Sequence, residues 1–120
     1  MSGTNRNPPV YAMTRSVTIP DTVAESNLLN IDGQEVVAVF VPTGTEGATL
    51  AIQGSTTNVP ANAKAVRNQA GAAEVITFTA DSWNWVNPEI TRHIKYFRLV
   101  SSLVQAGGAA VITVITRRTA

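Results

Sequence analysis

Residues 90–99 (ITRHIKYFRL) and 109–115 (AAVITVI) carry the reading that decides the fold. Both alternate with the two-residue period of a strand, the first aromatic and basic, the second apolar. The loop between them holds Gly107 and Gly108, so the pair reads as two strands with a hairpin-like return. Upstream, residues 74–80 (EVITFTA) alternate cleanly, with Ile76, Phe78 and Ala80 on one face. Residues 61–73 give mixed signals, because their alanines favour helix while the placing of Val66 and Gly71 favours a short hairpin; the hairpin is the preferred reading. Residues 49–55 form a strand with Leu50 and Ile52 inward.

Residues 35–41 (EVVAVFV) are apolar on both faces, which predicts a central strand or one covered by a partner. The Asp32-Gly33 pair before it is a strong turn signal. Residues 11–19 place Tyr11, Met13, Arg15, Val17 and Ile19 on one side, and Pro20-Asp21 ends that strand. Seven or so short strands with regular Gly, Pro and Asp breaks predict an all-β antiparallel β-sandwich, with jelly-roll topology among the forms it admits. Residues 1–10 read as a flexible N-terminal arm, since 1–9 are polar or proline after the initiator and have little to bury. Residues 11–120 read as a single β-sandwich domain.

A chain of 120 residues is long enough to enclose one core. Its formal charge of +1 gives no whole-surface field for nucleic acid or membrane, and neither is expected as a partner. The charges are nonetheless sorted. Asp21, Glu25, Asp32, Glu35 and Glu46 lie between Arg15 and Lys64 with no base among them, while Arg92, Lys95, Arg98, Arg117 and Arg118 follow Glu89 with no acid among them. Two readings stay open: solvated loops, or complementary patches between neighbouring copies with these five basic residues as assembly contacts. The absence of cysteine excludes disulfides, thiol catalysis and cysteine-based zinc sites. No run approaches a membrane span and the N-terminus lacks a signal-peptide core, so synthesis in the cytoplasm is expected.

Chemistry finds little support. His93 is the single histidine and has no acid and nucleophile beside it in sequence. Asp81 and Glu89 flank the aromatic segment Trp83-Asn84-Trp85, but two acids without a second feature do not make a glycosidase pair. With Asn84 and Asn87 they offer oxygen ligands without the spacing of a calcium loop. No enzyme, cofactor or metal is therefore expected. Trp83 and Trp85 share one side of an extended chain, with Tyr96 soon after. That trio is either a core or interface element or a platform for stacking sugar rings. Arg92, Lys95 and Arg98 lie three apart, which on one strand puts Lys95 opposite the other two and yields no phosphate-tracking stripe.

The order of segments, SVTIPDTVAESNLLNIDG, EVVAVFVP, TLAIQGS, AVRNQAGAAEVITFT, HIKYFRLVSS and AAVITVITR, resembles the small β-sandwich virion structural proteins of tailed bacteriophages, the class of head decoration or cement proteins. The resemblance covers about residues 14–118 and is most specific at Phe40-Val41-Pro42, 50–55 and 96–102. It implies a non-enzymatic virion protein that decorates and stabilises a capsid, present as many copies in a homo-oligomer, with the major capsid protein as partner. Ser55-Thr56-Thr57 and the Trp-Asn-Trp segment depart from the pattern and keep a tail- or fibre-associated glycan-binding adhesin as the alternative.

Overall fold

A computed structural model describes residues 12–119; the expected arm lies outside them. Nine strands occur among these residues: β1 (Ala12–Ile19), β2 (Leu29–Asn30), β3 (Gln34–Val41), β4 (Thr49–Ser55), β5 (Lys64–Ala65), β6 (Val75–Thr77), β7 (Ser82–Trp85), β8 (Tyr96–Ser101) and β9 (Ala110–Arg118). One antiparallel sheet has the order β1-β9-β3-β7. The other runs β2-β8-β4, with β5 and β6 sharing the far side of β4. Apart from the local β4–β5–β6 unit, the chain changes sheet at every step. That order is a jelly roll, so the sandwich expectation holds and its topology is the jelly-roll form.

The core follows from the alternation. Val17 and Ile19 of β1, Val39 and Val41 of β3, and Ile112 and Val114 of β9 face inward, against Leu50, Ile52, Phe97 and Leu99 of the other sheet. β3 is central, paired on both sides, as its two apolar faces require. Gly33 supplies the positive φ of 76° that the turn into β3 needs. Within residues 61–73 the hairpin-like reading holds at the turn closed by an antiparallel bridge between Arg67 and Ala73, while the start of the segment falls in a 3₁₀ turn at Pro60–Asn62.

Two expectations are corrected. Residues 90–99 are not one strand: a short helix, α1 (Pro88–Thr91), precedes β8, and Arg92 is its C-cap. Asn87 caps it by accepting a hydrogen bond from the Glu89 amide at 3.2 Å, and Pro88 sits where a missing N–H costs nothing. Arg92 and Arg98 therefore do not share a strand face with Lys95 opposite. The return from β8 to β9 is likewise no hairpin, because the two strands belong to different sheets and the Gly107-Gly108 loop crosses between them.

The helix has a structural task at β3. The β3–β9 register shifts between Val36 and Ala38, and beside this irregularity the Val36 N–H points away from the ladder. The fully buried Thr91 hydroxyl accepts that N–H at 2.8 Å. Thr91→Val is expected to strand the amide and lower stability by about 1–3 kcal/mol, with Thr91→Ser retaining most of it, as read by denaturant unfolding.

Candidate interaction surface

The residues that alternate with the core of the first sheet build its outer face. Cross-strand register aligns Trp85 with Ala38 and Ile115, and Trp83 with Phe40 and Thr113. β1 adds Thr14 beside Ile115 and Ser16 beside Thr113, while Thr18 lies beside Val111. Nothing in these rows is charged. Trp83 is 56% and Trp85 72% exposed, and Val111 is also exposed. The tryptophans thus share one side, as the alternation predicts, and that side faces away from the core, which removes core placement and leaves an interface element or a stacking platform.

Their positions are held from behind. Asp81 adopts a positive φ of 56° as the chain turns into β7, and its amide donates to the Val41 carbonyl at 2.7 Å. Between the tryptophans, Asn84 points the other way. Its Oδ1 accepts from the Thr79 amide at 2.8 Å and its Nδ2 donates to the Thr79 carbonyl at 3.1 Å. Val86 is buried and anchors the strand end. The Trp83 and Phe40 rings meet edge to face at 5.3 Å between centroids, which fixes one indole and leaves Trp85 the freer of the two. A cleft of about 370 Å³ runs beside β7, lined by Glu74, Thr77, Trp83, Trp85 and Asn87 among others.

Tyr96 does not join them. It begins β8 in the other sheet, opposite Asn30 and Ser55, with the Lys95 ammonium 6.0 Å from its ring centroid. The basic residues are also dispersed. Arg98 donates to Gln53 Oε1 at 2.8 Å, and Arg118 lines a cleft with Met13, Asp32 and Gln34.

Arg92 and Arg117 converge on one acid. Arg92 Nε lies 3.0 Å from Glu35 Oε1, and Arg117 Nε bonds Oε2 of the same carboxylate. The Glu35 side chain is 4% exposed and the two arginines are half-exposed. Burial by itself would push this carboxyl up; the hydrogen bonds and charges of Arg117 and Arg92 outweigh it and hold the group below its ordinary 4.5. Part of the complementarity between the acidic half and the basic tail is therefore satisfied within one chain. Sequence reasoning did not single out Glu35; its only signal is a lone acid opening an otherwise apolar strand.

The remaining candidates do not converge. His93 is exposed in the loop after α1, beside Ser55, Lys64 and Lys95. Asp81 and Glu89 lie beyond opposite ends of β7. Asn84 and Asn87 are committed to backbone amides. Among the described residues no three His, Asp or Glu side chains cluster as metal ligands, and no helix is long and apolar enough to cross a membrane.

No family model and no curated protein matches the sequence. Among solved structures the chain is similar to the SPBc2 prophage-derived protein YomS, with a TM-score of 0.53 and 10% identity over 89% of this chain and 95% of that one. At this identity the likeness is one of fold, and it spans nearly the whole of both chains.

Proposed function

We propose that this chain is a non-enzymatic structural protein of a phage particle that decorates and stabilises the capsid through contacts with the major capsid protein. The observation that carries the reading is the set of uncharged rows on the outer face of the β1-β9-β3-β7 sheet, with two exposed tryptophans at its β7 side. Exposed aromatics on a rigid sheet suit burial against a partner surface. The likeness of fold to a prophage-derived protein supports the phage setting. In this reading the protein is made in the host cytoplasm and ends in the virion.

The exposure of the tryptophans also favours a second reading, a glycan-binding module of a tail or fibre, in which an indole stacks on a sugar ring. Quantitative mass spectrometry of purified particles separates the two. Hundreds of copies per particle are the expected result, while a handful places the protein at the neck, tail or fibre. Trp83→Ala with Trp85→Ala is expected to leave the fold intact, costing about 1 kcal/mol through the lost ring contact with Phe40. Particle occupancy of that variant should fall at least tenfold, the loss on the order of 1.4 kcal/mol that one anchoring side chain supplies. Unchanged occupancy with lost binding to a glycan array supports the second reading instead.

A further inference from the structure

We propose that β1 pairs with β1 of a second copy, antiparallel about a two-fold axis at Thr14, joining two four-stranded sheets into one continuous sheet. The proposal names the surface of the expected homo-oligomer and does not depend on the phage reading.

Among the described residues β1 is an edge strand of eight residues, paired only with β9. Residues of an antiparallel strand direct both backbone groups to the same side and alternate along it. The Thr18 amide donates to Asn27 Oδ1 at 2.8 Å and its carbonyl accepts from the Asn27 amide at 3.3 Å, so Thr18 points away from β9. By alternation Ser16, Thr14 and Ala12 do too. Among the described residues nothing pairs with the backbone of these three, and all are exposed.

The other edges are treated differently. Asn84 occupies the β7 side with its bonds to Thr79. The segment before β2 covers β8, through a bridge between Glu25 and Val100 and a bond from the Ser26 amide to the Leu99 carbonyl. β5 and β6 are only two and three residues long. An open edge without lysine, proline or bulge is a template for strand addition.

A second β1 fits this template because the edge is self-complementary. Centred on Thr14, Ala12 faces Ser16 of the other copy and Thr14 faces Thr14, so every outward group finds a partner. No like charges are opposed, since Arg15 lies across from Met13 of the other copy. The match ends at Ser16, where Asn27 begins. Three residue pairs bury less than the roughly 1,200 Å² of a specific interface, so the pairing is a weak one that sets in with concentration.

The chain has no cysteine, so single cysteines report the register in the full-length protein. Thr14→Cys is expected to cross-link with a short bismaleimide roughly a hundredfold faster than an unpaired thiol, because pairing raises the effective concentration to the millimolar range. Ser16→Cys should not, its two thiols being offset by about 14 Å along the strands. Thr14→Pro removes an outward N–H and no ladder bond, so it should be folded by circular dichroism and monomeric by light scattering where the unmodified chain is dimeric. An unmodified chain that stays monomeric at its highest soluble concentration overturns the proposal. So do equal cross-linking at positions 14 and 16, or a folded Thr14→Pro dimer.

Discussion

Replacing Arg92 and Arg117 together with alanine is expected to cost about 3 kcal/mol at neutral pH, a large share of the stability of a small domain. The two guanidinium groups pair with a carboxylate that is 4% exposed. Removing both leaves that charge without its partners, and the penalty is limited by the ease with which Glu35 takes up a proton. The pH dependence distinguishes this from a packing defect. In the unmodified protein the folded-state pKa of Glu35 is depressed, so its contribution is complete above the unfolded value of 4.5 and is lost as pH falls through the folded value. In the double variant burial acts unopposed and the folded pKa rises. Stability then declines as pH climbs above 4.5 towards that raised value, and the two proteins converge in acid. Urea unfolding across that range reads both curves. Either single replacement leaves one guanidinium in place and should cost about 1 kcal/mol.

Gln105→Ala is expected to lower stability by about 2–4 kcal/mol, although the residue lies in the long loop between β8 and β9. Gln105 is 1% exposed. Its Oε1 accepts from the Glu46 amide at 3.0 Å, and its Nε2 donates to the Glu46 carbonyl at 3.3 Å and to Ser101 Oγ at 3.1 Å. Its own backbone pairs with Thr22 and Val23, and Thr22 is held at a φ of 70°, unusual for a β-branched residue. One residue, through side chain and backbone together, thus joins three loops at one end of the sandwich. Truncation leaves both Glu46 backbone groups without this partner, so the Glu46 amide should exchange with deuterium faster than its neighbours in addition to the shift in unfolding midpoint.

The strands were legible wherever one face is buried, because burial imposes the two-residue period: Val17 and Ile19, Leu50 and Ile52, and Ile112 and Val114 all face the core as read. The sheet to which each strand belongs was not. Alternation says that two faces exist and is silent about partners, so β8 and β9, adjacent in sequence, passed for a hairpin. Helix α1 left a local mark, the Asn87-Pro88-Glu89 cap, which was outweighed by an accidental alternation through residues 90–95. The tryptophan pair was read correctly as sharing a side, but outside and inside are decided by what fills the other face, here the hydrogen-bonded Asn84. The clamp on Glu35 joins residues 57 and 82 positions apart, beyond the reach of any local pattern.

The place of β9 between β1 and β3 has a consequence for how the protein comes into being. Among the described strands β9 is the last along the chain and the middle of its sheet, so β1 and β3 have no ladder between them until β9 has been made. Until then β1 has no partner strand in its sheet and β3 can pair only with β7. Folding is then a late, concerted event dominated by long-range pairing, which is slow for a chain of this size. With β1 and β3 not yet joined, the nascent chain exposes more unpaired strand edge than the finished molecule.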